Sequence, residues 1–263
     1  MEPCLVFDIE TIPDVAGLRR VHELPAELTD SDVVEAAQAL RRQGGGSDFL
    51  PPYLQRVVAI SCVLRLKERI AVGSLGDPGD GEAALIGRFF ELFDRYTPQV
   101  VSWNGGGFDF PVLHHRSLIH QVAAPRYWEW GDDDRDFRYN NYLSRYHTRH
   151  IDLMEVLAQF QSRAYAPLDA MAKLCGLPGK LGMDGSQVWP AWKRGEIAAI
   201  RAYCETDVVN TYVLYLRFLQ MRGVLAGDGY REEIALLRKK LTELPEMPWK
   251  AYLEAWADEP GLL

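Results

Sequence analysis

Asp8 and Glu10 stand two residues apart inside the apolar run Cys4-Leu-Val-Phe-Asp-Ile-Glu-Thr11. In a strand, alternate side chains share a face, so Val6, Asp8 and Glu10 point one way and Leu5, Phe7 and Ile9 the other. Two like charges on one inward face repel. Burying them without a counter-charge costs several kcal/mol or keeps one of them protonated. A further acid, Asp109, falls in Ser-Trp-Asn-Gly-Gly-Gly-Phe-Asp-Phe, where a strand ends at Asn104, a glycine turn follows and a helix begins. A carboxylate is electrostatically favoured at a helix N-terminus, so Asp109 reads as a cap as well as a chemical group. The third motif, Tyr-Cys-Glu-Thr-Asp-Val-Val, sets Tyr203 and Asp207 four residues apart on one helix face. That face also carries Ile200, Cys204, Val208 and Thr211, so it is the apolar stripe, and an aspartate there has no surface explanation.

Two inward acids on a strand and one on a buried helix stripe make an oxygen-rich ligand set for Mg²⁺ or Mn²⁺. Three acids can hold two such ions about 3.5–4 Å apart, one activating a water and the other stabilising the leaving oxygen of a phosphodiester. Divalent cations are therefore the expected counter-charge at Asp8 and Glu10.

The elements that must position these residues follow from the pattern along the chain. After the first strand, residues from about 13 to 52 read as an insertion, with one helix within residues 28–47 closed by Gly44, Gly45 and Gly46 as a hinge candidate. Two hairpin strands meet near Lys67-Glu68, and a helix with Leu85, Phe89, Leu92 and Phe93 on its inner face comes next. A short buried strand over residues 98–104 leads to a helix with Pro111 in its first turn. Residues 149–160 read as a short strand and a helix, with Asp152 and Glu155 spaced as a capping box. The longest helix is predicted over residues 196–219, followed by an amphipathic helix and a Trp-rich tail, 248–256, that suits packing. Early antiparallel strands followed by β-α-β units predict an α/β fold, a mixed sheet with helices on both faces. A single domain of ribonuclease-H-like type accommodates that order. It would occupy residues 1–225, with the C-terminal helix and tail, 226–263, packed on it.

Bulk properties narrow the classes. At 263 residues, with 48% hydrophobic and 25% charged content, the chain has the composition of a soluble globular protein. Its N-terminus lacks the regions of a secretory signal, and its apolar runs are far too short to cross a bilayer, so no membrane partner is expected. Four scattered cysteines form no C-x-x-C pair, which points to a reducing, cytoplasmic setting. A net charge of −8 argues against affinity from a general basic surface, but not against a nuclease whose acidic site is filled by metal.

Phe-Asp-Ile-Glu-Thr, Asn-Gly-Gly-Gly-Phe-Asp and Tyr-Cys-Glu-Thr-Asp resemble the three exonuclease motifs of the DEDD superfamily of 3′–5′ exonucleases. The nearest likeness is to the proofreading exonuclease domain of family-B DNA polymerases and the stand-alone bacterial proteins related to it. Nearly the whole chain shares it, the insertion and the tail less so. The resemblance implies that Asp8, Glu10 and Asp207 bind two divalent metals, Asp8 bridging, with Asp109 acting mainly through a metal-bound water. One branch of the superfamily places a His five residues before the last Asp; here that position is Ala202. The other branch uses a Tyr four before it, and Tyr203 matches, as a neutral phenol with an ordinary pKa of about 10. Thr11, Asn104 and Phe108 match positions that contact the terminal nucleotides. The implied activity is hydrolysis at the 3′ end of single-stranded DNA. RNA 3′-end trimming and a non-catalytic single-strand-binding module are the alternatives.

Other motifs carry weaker readings. His147, His150 and Asp152 could suggest zinc, but the spacing suits one shared ion poorly. His114 and His115 read as helix-surface residues and Glu205 as solvated. Gly-Leu-Pro-Gly-Lys lacks the setting of a phosphate loop, although Lys180 could touch a substrate backbone. The stretch from Arg135 to Arg149 interleaves Arg135, Arg138, Arg145 and Arg149 with Tyr139, Tyr142 and Tyr146, either as a strand-guiding channel or as a solvated loop.

Overall fold

The computed structural model describes residues 3–256. Its first strand, β1 (Cys4–Pro13), sits at the centre of a five-stranded sheet, where its apolar alternation demands burial on both faces. The hairpin β2 (Gln55–Leu66) and β3 (Arg69–Ser74) lies on one side, antiparallel; β4 (Gln99–Ser102) and β5 (His150–Asp152) lie on the other, parallel. The order β3-β2-β1-β4-β5, with helices on both faces, is a ribonuclease-H-like α/β arrangement in one domain.

Leu5, Phe7 and Ile9 enter a core with helices α3 (Glu82–Tyr96) and α4 (Asp109–His120). Aromatic packing dominates there: Phe7 lies 4.7 Å from Phe89 and 5.0 Å from Phe110, ring centre to ring centre. Cys4 and Val6 face the opposite core, covered by the 25-residue helix α8 (Ile197–Met221). Asp8 and Glu10 continue that second face, so the strand delivers its acids toward α8. The register shifts between Glu10 and Thr11, a bulge that re-aims the strand end beside them.

The insertion contains two helices, α1 (Val15–Val21) and α2 (Asp30–Gln43). α2 starts at a reciprocal Thr29–Asp32 capping box and stops at Gly44, as its sequence predicts; α1 is an addition to the single helix expected there. Leu18, Val33, Val34, Ala37, Leu50 and Leu54 form a small core of their own. The insertion is tied to the sheet by buried charge. Arg116 of α4 donates to Asp14, the cap of α1, at 2.5 Å and to Glu82 of α3 at 2.8 and 2.5 Å. Glu82 also accepts the Val57 amide of β2 at 2.7 Å.

The remaining helices are α5 (Leu153–Leu157), α6 (Leu168–Leu174), α7 (Val188–Lys193), α9 (Gly227–Thr242) and α10 (Glu246–Ala255). The Trp-rich tail packs as expected: Trp249, Tyr252 and Trp256 are buried in the α8 core, and the tail's end, 257–263, lies outside the described residues. Asp152 caps α5, but the capping box is one-sided. Glu155 turns its carboxylate to Arg145 and Tyr165, because that ion pair is available across the loop. Among the described residues no helix is long and apolar enough to cross a membrane, and the four cysteines are free thiols.

Arg116→Leu would leave Asp14 and Glu82 facing a buried position without their guanidinium, costing about 3–5 kcal/mol. Urea unfolding measures it; a loss under about 1 kcal/mol would show that the network does not anchor the insertion.

Candidate active site

Asp8, Glu10 and Cys204 present ligand atoms that all lie within 4.8 Å of one another. The strand pleat supplies the two acids, and the inward stripe of α8 supplies the thiol. Cys204 Sγ donates toward the Asp8 carbonyl at 3.4 Å and its Oδ2 at 3.5 Å. Burial and the neighbouring carboxylates hold this thiol far above its ordinary pKa, so it remains a weak donor rather than a thiolate ligand.

Asp207 and Tyr203 occupy the same inward face, both buried. Tyr203 lies close enough to Asp207 to favour its charged form, while Asp207 Oδ1 is buried with no partner. Such orphaned oxygens are rare in folded proteins and call for a partner, whether water or an ion. Burial, reinforced by Asp207, Glu10 and Asp8, pushes the Tyr203 phenol well above its ordinary value and keeps it neutral.

Asp109 begins α4, but it is not the cap; Phe108 occupies that position. Its Oδ1 instead accepts the Ile9 amide at 3.2 Å. β1 pairs with β4 only through Val6, so the β1 amide at Ile9 lacks a strand partner there and the carboxylate satisfies it. Burial raises Asp109 to about 7, against the lowering pull of that amide. Asp207 is raised to about 6, again by burial, with Lys180 and Tyr203 pulling down. Asp8 and Glu10 are raised furthest, by burial first. Asp109 and then Asp207 add repulsion at Asp8; Asp8 and then Asp207 do so at Glu10. Lys180 opposes this at both acids without reversing it.

Lys180 is placed by contacts its sequence context did not reveal. Its ammonium lies 5.3 Å from the Tyr203 ring centre, and its amide donates to Asp169 at 2.8 Å. Asn210 of α8 holds the preceding Gly179 carbonyl at 3.1 Å and accepts the Tyr252 hydroxyl at 2.7 Å. The C-terminal helix thus supports the loop that carries this charge.

Asp152 does more than cap α5. Its carboxylate accepts the amides of Asn104 and Gly106, each at 2.9 Å, clamping the β4–α4 turn that leads to Asp109. Asn104 takes a left-handed φ of 67°, and Gly105 is obligatory because a Cβ there would collide with Ser102.

A cleft of about 440 Å³ opens beside Glu10. Thr11, Phe108 and the insertion residue Phe49 line it; the Phe49 and Phe108 rings lie 5.3 Å apart. Asn104 is not among its lining residues: its side chain folds over Gly107.

The other expectations divide. His150 pairs with Ser102 Oγ at 2.8 Å and His147 accepts the Asn141 amide at 3.0 Å, so the two are engaged separately. His114 and His115 are half-buried rather than on the helix surface, because the 127–128 segment and Tyr53 pack over them. Glu205 is not solvated; it accepts from the Ser74 amide at 2.9 Å and hydroxyl at 2.6 Å, pinning the end of β3. In the Arg/Tyr stretch, Tyr142 is a core residue donating to the Pro98 carbonyl at 2.7 Å, whereas Tyr139 and Tyr146 are exposed.

Residues 47–256 match the family described as predicted 3′–5′ exonucleases related to the exonuclease domain of PolB. The chain belongs to that family. The match holds Asp109, Tyr203 and Asp207; Asp8 and Glu10 precede it and stand on the geometry above. Over 148 residues, 55% of the chain, it is 22% identical to a DNA polymerase of Archaeoglobus fulgidus. Over 145 residues, 52% of the chain, it is 29% identical to the catalytic chain of DNA polymerase epsilon from Emericella nidulans. It is 26% identical to the Saccharomyces cerevisiae counterpart over the same length. The matched stretch spans 18% of the archaeal polymerase and 6% of each epsilon polymerase chain.

An acid whose pKa is raised by folding binds its proton more tightly in the native state, so stability falls as pH climbs from its ordinary value to its folded one. For Asp207 and Asp109 that window runs from 3.8 to about 6 and about 7. In EDTA at pH 8, Asp207→Asn is therefore expected to melt roughly 5 °C above wild type, and the gain to vanish near pH 4. Thermal scans at both pH values check this; an equal or lower midpoint at pH 8 would contradict the repulsion.

Proposed function

We propose that this chain is a metal-dependent 3′–5′ exonuclease. It hydrolyses the terminal phosphodiester of single-stranded DNA and releases nucleoside 5′-monophosphates. The observation that carries this reading is the pair of inward acids Asp8 and Glu10, faced across the α8 stripe by Asp207, which adds repulsion at both and has an orphaned carboxylate oxygen, in a member of an exonuclease family. The donor set suits a hard dication: carboxylate oxygens from a strand and a helix, held before any ion arrives. Bound there, a Mg²⁺ or Mn²⁺ pair would supply charge stabilisation to the phosphodiester and a nucleophilic water at neutral pH.

The chain's own residues do the rest. Asp8, Glu10 and Asp207 would be the direct ligands, and Asp109, spent partly on the Ile9 amide, would act from the rim. Neutral Tyr203, beside Asp207, has one hydroxyl to hold and orient the attacking water; it is too weak an acid at physiological pH to serve as a phenolate base. Lys180 lies where its charge can meet the phosphate and stabilise charge building on the leaving oxygen.

The cleft beside Glu10 supports the 3′-terminal nucleotide as occupant. Phe108 and Phe49 offer faces to a base, which only an unpaired strand presents freely, and Thr11 offers a hydroxyl to the sugar or phosphate. We assign Asn104 to holding the turn that aims Asp109 and Phe108, with any substrate contact made through its backbone. The polymerase relatives favour DNA over RNA. Free thiols suit a reducing cytoplasm.

On 5′-labelled single strands with Mn²⁺, Asp8→Ala should lose at least about a thousandfold in rate. Tyr203→Phe should lower kcat about a hundredfold with KM little changed. Strands labelled at the 3′ end should release label in the first turnover. Internal cuts, or full activity in Asp8→Ala, would overturn the assignment; faster digestion of a matched RNA would move it to RNA trimming.

A further inference from the structure

The β4–α4 loop borders two cavities. Phe108 lines the cleft beside Glu10, and Gly106, two residues earlier, lines another of about 370 Å³ between α4, α5 and the 127–145 segment. None of the proposed metal ligands reaches this second cavity.

Its walls are aromatic. Phe110, Tyr127, Tyr142 and Phe160 line it, with Tyr127 and Tyr142 stacked at an interplanar angle of 12°. Phe160 is held at an unusual cost. Gln159 and Phe160 both adopt left-handed backbone, with φ of 51° and 60°, although neither is glycine. Two such residues in succession are rarely adopted, and strain of this kind concentrates at functional sites. The result sets the Phe160 ring 4.7 Å from the Arg145 guanidinium, which caps one ring face and fixes the side chain at the cavity.

The polar atoms in the lining are few and incompletely used. His114 Nε2 is buried with no partner. Burial lowers the His114 pKa to about 4, so the ring is neutral and offers one donor and one acceptor. Glu155 spends Oε1 on Arg145 at 3.0 Å and Tyr165 at 3.1 Å. Its Oε2 lies toward the cavity at Gly106, 3.8 Å from where a Cβ would sit. Asp152 is already committed to loop amides. Two carboxylates against one paired arginine disfavour a phosphate here. A flat, uncharged heterocycle with a hydrogen-bond donor fits better.

We propose that this cavity is a second base subsite, taking a nucleobase upstream of the 3′-terminal nucleotide and reading its exocyclic amino group through Glu155 and His114. The assignment rests on the exonuclease reading above. The two cavities share one clamped loop, so an upstream base bound at Gly106 would also steady the turn that carries Phe108 and Asp109.

The test is an abasic scan. The rate of first nucleotide release is measured on single strands carrying one abasic residue at successive positions from the 3′ end. Beyond the terminal nucleotides, one internal position should cost roughly tenfold in kcat/KM. Phe160→Ala should reduce that internal penalty to near unity while leaving the terminal one intact. At the same position, cytosine should outperform thymine several-fold, and Glu155→Gln should erase the difference; this variant keeps the acceptor for Tyr165 should Phe160→Ala fail to fold. A flat internal scan, or an internal penalty and base preference unchanged in the variants, would overturn the subsite while leaving the nuclease standing. No nucleotide release from any strand would remove both, and the absence of first cleavage tells the cases apart.

Discussion

Like charges gathered inside a protein repel with an energy that bulk water would otherwise screen. Asp8, Glu10, Asp109 and Asp207 are gathered in that way, and the surrounding structure holds them together against the repulsion. At its acids β1 is held by β2 on one side and by the Asp109 carboxylate on the Ile9 amide on the other, so its pleat does not readily rotate them outward. α8 is packed along nearly its whole length, which fixes Tyr203, Cys204 and Asp207 on the same side. Protons, the Ile9 amide, the Cys204 thiol and the Lys180 charge each relieve part of the cost. None removes it. Under the proposed function, a fold that spends so much rigidity on an unfavourable cluster would be preorganised for a highly charged guest.

The second organising feature is the β4–α4 turn. It satisfies a stranded amide of β1, starts a helix and borders two cavities within a few residues. Asp152 clamps it from β5, and the Arg116 network ties the helix beyond it to the insertion. The insertion in turn contributes Phe49 to the cleft. Under the proposed function, chemistry and strand recognition would be built on the same rigid elements, which would keep their relative geometry fixed.

Much of this was legible in the residues. The alternation of β1, the hairpin at Lys67-Glu68 and the long α8 emerge where expected, because each carries a strong local period. The inward stripe of α8 already marked Asp207 as out of place on a surface. What escaped was decided by contacts distant in sequence. Asp152 looks like an ordinary cap until its second role on the 104–106 amides is seen, and Glu205 looks solvated until β3 arrives beside it. Lys180 sits in a loop whose position depends on Asn210 and Tyr252. Helix α1 has only seven residues; its cap, Asp14, is held by Arg116, 102 residues away, and its Leu18 packs in the insertion's own core. Half-burial of His114 likewise depends on a segment with no periodic pattern.

The central claim is that these carboxylates form a ready-made seat for paired dications. Anomalous diffraction from crystals soaked in Mn²⁺ addresses it directly. Two peaks about 3.5–4 Å apart, within ligand distance of Asp8, Glu10 and Asp207, are the predicted result. Crystals that bind Mn²⁺ elsewhere, with Asp8 and Glu10 turned onto Lys180, would contradict it.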